Sequence, residues 1–149
     1  MRAVVQRVHS ARVEVGGDVV GAIERSLVAF VGAARGDGGD DAAYLAEKLV
    51  TLRVFPDQAG KMSLALGEVA GSLLLVSQFT VVGDVRRGRR PSFDDALAPG
   101  LAAELLGDLA RLVRARGVPV ATGRFGADMR VVVDNDGPVT ILVDSRKLF

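Results

Sequence analysis

Three short polar stretches hold most of the groups in this 149-residue sequence that could act on a ligand. Ser77-Gln78-Phe79-Thr80 follows the apolar run Leu73 to Val76, so its hydroxyls, amide and backbone N–H groups sit at a strand end where they can converge on a substrate. The same pattern also describes a strand running out to the surface. Arg86 to Phe93 reads RRGRRPSF: Arg86, Arg87, Arg89 and Arg90 crowd around one glycine beside an aromatic ring. Planar guanidinium donors grip phosphates and a ring stacks on a base, although a solvated charged loop has the same composition. Gly123 to Met129, GRFGADM, sets Phe125 and Met129 among glycines, which suits a flat purine face or, equally, a turn with two core anchors. A fourth stretch, NDGPVT from Asn135 to Thr140, lies between the apolar runs Val131 to Val133 and Val139 to Val143. Asp-Gly between two strand-like runs reads as a hairpin, yet Pro138 has no N–H for a ladder and fixes its own φ.

Other chemistry is missing. With no cysteine there is no thiolate nucleophile, disulfide or Cys-based zinc site. The single imidazole, His9, falls in an alternating strand pattern near the N-terminus, which reads as a half-buried strand residue rather than a catalytic base. The acidic groups cluster in DGGDD, FDD and VDND, which read as loops and caps, and no HExxH, P-loop or dinucleotide fingerprint occurs. No metal site and no cofactor are expected. A net charge of +1 argues for neither a nucleic-acid nor a membrane partner as a whole, so any such case rests on local clustering. Apolar runs such as Leu27 to Ala34 fall far short of the roughly twenty residues that span a bilayer, and the N-terminus alternates instead of forming a signal-type block. A cytoplasmic protein without membrane contact is expected.

The elements that must position these stretches follow from periodicity. Residues Val4 to Val15 alternate, Gly16-Gly17-Asp18 punctuates, and Val19 to Ile23 resumes, predicting a hairpin. Ser26 to Ala34 predicts a buried strand ending in the Gly-Asp-rich loop. From Asp41 the period becomes helical: Leu45, Leu49 and Leu52 share a face with Ala42 and Ala46, and Asp40 or Asp41 can cap the start. Leu101, Leu105, Leu109, Leu112 and Val113 form a second stripe, with Gly117 placed for a C-cap and Pro119 blocking continuation. Short strands, two helices and no βαβ alternation predict an α+β fold: a compact single domain over residues 1–149, with two packed or curved, mainly antiparallel sheets and two main helices.

Taken in order, Gln6-Arg7-Val8, SQFT, RRGRRPSF, GRFGADM and NDGPVT resemble the D-aminoacyl-tRNA deacylases, also called D-tyrosyl-tRNA deacylases. The similarity runs from Met1 through Asp144, departing from the family's usual pattern at Val81-Val82-Gly83-Asp84-Val85. The resemblance implies a homodimeric α+β enzyme that hydrolyses the ester linking a D-amino acid to tRNA and also acts on glycyl-tRNA. It further implies that Gly137 and Pro138, joined by a cis peptide, enter the partner subunit's active site and face the amino acid with backbone carbonyls. An X-Pro bond is the peptide for which cis costs little, about 0.5 to 1 kcal/mol over trans. Carried over by position, Ser77 and Phe79 line the pocket, and Gln78 and Thr80 contact the region of the scissile ester. Phe125 and Met129 receive the terminal adenine, Arg7 holds the Gly-Pro segment, Val139 and Thr140 flank it, and the four loop arginines meet tRNA.

Two mechanisms fit these residues. In one, Ser77 or Thr80 is the nucleophile or polariser, which requires a partner base that no nearby residue supplies. In the other, the protein supplies position and backbone donors while the ribose hydroxyl of the tRNA helps to activate water; an already reactive ester needs little more. The second is preferred for want of the base. Read from residues alone, a non-enzymatic RNA-binding module built on the arginine loop stays level with the enzyme, and a small-ester hydrolase is a third reading.

Overall fold

A computed structural model of the chain describes residues 1–148. Its longest strand, β1 (Arg2–Val15), turns through Gly16 and Gly17 into β2 (Asp18–Ile23). Both glycines have positive φ, at 60° and 93°, the geometry that a two-residue hairpin matching strand twist demands. Then come β3 (Ser26–Gly32), α1 (Gly39–Thr51), the short ribbon β4 (Phe55–Pro56) and β5 (Met62–Leu64), β6 (Leu73–Ser77), α2 (Pro99–Arg114), β7 (Val120–Thr122) and β8 (Arg130–Asp144). The main sheet runs β2-β1-β3-β6-β7, with β8 along the other flank of β1. The α+β architecture expected from the sequence is present, with one curved sheet, a small ribbon and two helices.

The middle of the chain corrects one expectation. β3 pairs with β6, and β6 with β7, in parallel, with α1 and α2 in the respective connections. These are βαβ units, which the sequence reading had excluded. Helices over one face and strand curl over the other bury β3 and β6 on both sides. Parallel strands of that kind read as continuous apolar runs and not as alternation. Accordingly Leu27, Ala29, Leu73 and Leu75 belong to the core shared with both helices, while Val28, Leu74 and Val76 belong to a second core beyond the sheet. β1 serves both: Ala3 and Val5 face the first, whereas Val8, Ala11 and Val13 face the second. The exchange coincides with a slip in the β1–β8 register at Val8–Ser10, as a one-residue offset moves side chains to the opposite face.

At the helix ends, Asp41 accepts the Gly38 N–H at 2.8 Å from within the first turn, so the N-cap position itself is Gly38 and not an aspartate. α2 opens with Pro99, whose missing N–H costs nothing at a first turn, and ends before Gly117, whose φ is +82°.

Candidate active site

The carboxyl ends of the three parallel strands open into one cavity of about 640 Å³. Gly32 and Ala33 enter it from β3; Ser77, Gln78 and Phe79 from β6; and Phe125 to Met129 from the loop after β7. Ligands in open parallel sheets bind at this edge because connections leave a crevice there. The lining is mostly apolar, and Pro99 and Ala102 of α2 close the far side. Phe93, from the end of the arginine loop, packs edge-on against Phe79 with ring centroids 5.0 Å apart and planes at 71°. Both rings remain partly exposed at the cavity and form an aromatic rim.

Glycines make the close approaches possible. A Cβ on Gly32 would fall 2.8 Å from the Gln78 carbonyl oxygen and 2.7 Å from Val81 Cγ2, so Gly32 allows β3 to press against the Ser77-Gln78 turn. A Cβ on Gly83 would fall 2.8 Å from the Phe93 ring. A Cβ on Gly123 would crowd the Met129 sulfur, at 2.7 Å, a flexible side chain that can move, and would otherwise stand at ordinary contact distance, 3.6 Å, from Val13. Gly32→Ala should therefore lower kcat/KM at least tenfold more than Gly123→Ala, because a displaced backbone carries Ser77 and Gln78 with it while a displaced thioether yields. Parallel steady-state assays of the two variants check this.

Thr80 lies outside the cavity lining, and its hydroxyl accepts a hydrogen bond from the Gln78 amide. Gly137 and Pro138 also lie away from the cavity of their own chain, exposed on β8, joined by a cis peptide. The NDGPVT stretch is no hairpin. β8 pairs with β1 on both sides of it, and Gln6 opposes Thr140 while Val8 opposes Asn135. Two steps along β1 thus face five along β8, so three extra residues bulge out of the ladder. Arg7, 9% exposed, holds that bulge: its Nε lies 2.9 Å from Asp136 Oδ2, out of line for a hydrogen bond but an ion pair, and Nη1 donates to the Val54 carbonyl. Asn135 Nδ2 donates to the Arg7 carbonyl at 2.8 Å. Val139 packs on the main core, and Thr140 Oγ1 accepts from Gln6 Nε2 at 3.1 Å. His9 is on β1 but exposed, not half-buried as its alternating pattern suggests, because the ladder slips there; its Nε2 lies 3.6 Å from Asp136 Oδ1.

The four arginines are not equivalent. Arg86 clasps Asp84 through two guanidinium hydrogen bonds of 2.9 and 2.7 Å, and this contact holds the Asp84 carboxyl well below the usual carboxylate range. Arg87, Arg89 and Arg90 are exposed and form no ion pair among the described residues.

The family model for D-Tyr-tRNA(Tyr) deacylase matches residues 4–144. The chain belongs to this family. Membership makes it a hydrolase. It is 63% identical over 150 residues to the D-aminoacyl-tRNA deacylase of Sorangium cellulosum (strain So ce56), and 55% identical over 149 residues to that of Fervidobacterium nodosum (strain ATCC 35602 / DSM 5306 / Rt17-B1). Each alignment covers the whole of both chains. A solved structure, the c-Myc DNA Unwinding Element Binding Protein, superposes with a TM-score of 0.92 at 36% identity, covering 97% of this chain and 98% of its own. Within this deacylase fold Pro99 and Ala102 are lining residues absent from the sequence reading, which treats Phe93 as a ring for stacking on a base and not as part of the pocket. Phe93 alone carries a signal, an aromatic ring separated from Arg90 by Pro91 and Ser92.

Proposed function

We propose that the chain hydrolyses the ester between a D-amino acid, or glycine, and the 3′-terminal adenosine of tRNA, a chiral proofreading reaction carried out in the cytoplasm. The observation that carries this reading is the convergence of Ser77, Gln78 and Phe79 with Phe125 and Met129 on one cavity, a catalytic edge beside a face for a purine. Phe125 and Met129 sandwich the adenine, and the ester lies towards the Ser77-Gln78 turn. Gly137 and Pro138 of a second copy reach into the cavity in a homodimer. The bulge that lifts them from the ladder, with Arg7 gripping its base, supports this reading. The direct test is loss of ester from D-tyrosyl-tRNA above a control without protein. A protein that binds tRNA but leaves the ester intact would instead be the non-enzymatic module favoured by its free arginines.

Chemistry in this site rests on position. The Thr80 hydroxyl is engaged with Gln78, and no histidine or lysine is among the lining residues of the cavity. Water activated by the ribose 2′-hydroxyl attacks the ester carbonyl, and the N–H groups of Phe79 and Thr80 stabilise the oxyanion, the Gln78 N–H being already donated to the Val31 carbonyl at 2.8 Å. Ser77→Ala and Thr80→Ala are each expected to retain turnover, reduced by no more than about 10² to 10³, the effect of removing one positioning donor. Single-turnover assays measure this, and an aminoacyl group trapped on either hydroxyl would overturn the mechanism.

Arg87, Arg89 and Arg90 supply phosphate contacts to tRNA. Replacing any one that touches a single-stranded phosphate should reduce the slope of log affinity against log salt by about 0.7. Unchanged slopes in all three alanine variants would leave the loop as solvated surface.

A further inference from the structure

We propose that Arg124 binds the phosphate that joins the terminal adenosine to the preceding nucleotide, and so forms a second cationic contact separate from the arginine loop. This rests on the reading of the cavity as the site for an aminoacylated adenosine. Asp128 is the one ionisable residue in the cavity lining, so the interior offers a neutral or cationic group a partner and repels an anion. A nucleotide whose base lies against Phe125 and Met129 must therefore direct its 5′-phosphate out of the cavity, towards a positive group at the rim.

Arg124 is next in the chain to Phe125 and is exposed. Its backbone is fixed there: the Ala127 N–H donates to the Arg124 carbonyl at 3.2 Å across a turn in which Gly126 has φ +72°. Several other exposed arginines are neutralised, Arg86 by Asp84, Arg111 by Asp108, Arg130 by Glu14 and Arg146 by Asp37. Arg124 has no such partner among the described residues. Planar donors match a phosphate with two parallel hydrogen bonds, which a lysine in its place would not reproduce. Arg124 thus adjoins the lining residue Phe125 in the chain, as the free loop arginines precede the lining residue Phe93.

The test compares two small substrates, D-tyrosyl-adenosine, which has no phosphate, and the D-tyrosyl ester of the dinucleotide CpA, which has one. For the wild type, KM should be lower for the CpA ester. In Arg124→Ala, KM for the CpA ester should rise about tenfold at low salt, the loss expected for a hydrogen bond to a charged group, with kcat unchanged and the adenosine ester cleaved normally. Arg124→Lys should restore part of the difference. Equal losses on both esters would assign Arg124 a structural role and overturn the proposal, as would an unchanged KM for CpA. Arg124→Gln, with thermal unfolding measured alongside, serves if the alanine variant folds poorly. A wild type that cleaves neither ester nor D-tyrosyl-tRNA would instead remove the catalytic reading itself.

Discussion

Gly137→Ala is expected to lower kcat/KM on D-tyrosyl-tRNA by about 100-fold or more, the effect of moving a positioned group by an ångström or so. Gly137 has φ +123°, a conformation that side chains of L residues rarely adopt. Its added Cβ would also stand 2.9 Å from Val139 Cγ2, 3.0 Å from the Val139 nitrogen and 3.1 Å from Arg7 Nη2. None of these neighbours gives way easily. The Val139 nitrogen is backbone, and Arg7 is held by the Val54 carbonyl and by Asp136. The bulge would have to shift, and under the proposed assembly it would then miss the second copy's cavity. Gly60→Ala is the control: Gly60 has φ +77° with nothing near the added Cβ, so it carries the left-handed backbone cost of about 1 to 2 kcal/mol without crowding. That variant should lose stability and keep its activity. Steady-state kinetics with thermal unfolding on both variants decides the point, and full activity in Gly137→Ala would remove the segment from the mechanism.

Where local pattern decides structure, the sequence was easily read. The α2 stripe places Leu105, Leu109 and Val113 in the core, although Leu101, at the first turn, stays 55% exposed. Leu52 shares the α1 stripe but already lies beyond the helix, as its C-cap. Pairing over distance is another matter. Nothing local in Leu73 to Val76 indicates that it lies parallel to β3, because a strand buried on both faces has no period to read. The Asp-Gly of NDGPVT meets the hairpin rule locally, yet β8 already has β1 as a partner on both sides and expels the segment as a bulge. The candidate site divides along the same line. Ser77, Gln78, Phe79, Phe125 and Met129 carry polar, aromatic or glycine-flanked signals and reach one cavity. Pro99 and Ala102 reach it only because the crossover lays the start of α2 across the strand ends, which no side-chain chemistry announces.

The second large effect expected is chiral: D-alanyl-tRNA and glycyl-tRNA should both be cleaved, while L-alanyl-tRNA should be spared by roughly 10³ or more, beyond what an apolar pocket achieves. A pocket that merely fits a methyl separates substrates differing by one methyl by about 10 to 200-fold. Rigid backbone placed where an L side chain must go has no such ceiling, since it cannot be compressed and its acceptors are left unpaired by carbon. The bulge around Gly137 and Pro138 has the necessary character. Gly137 has no side chain and Pro138 no N–H, so the peptide that joins them offers a carbonyl oxygen and no donor, and Asn135, bonded to the carbonyls of Arg7 and Val139, stiffens the base of the segment. Set into the second copy's cavity, it would face the α-carbon of the ester: an L side chain collides, a D side chain points outward, and glycine has nothing to collide. Rejection should then be nearly blind to side-chain identity, so D-tyrosyl, D-aspartyl and D-alanyl esters should all be hydrolysed. The measurement is a side-by-side time course of glycyl-, L-alanyl- and D-alanyl-tRNA at limiting enzyme. Should L-alanyl-tRNA decay within about tenfold of D-alanyl-tRNA, its mirror image at the α-carbon, backbone exclusion by Gly137 and Pro138 is wrong.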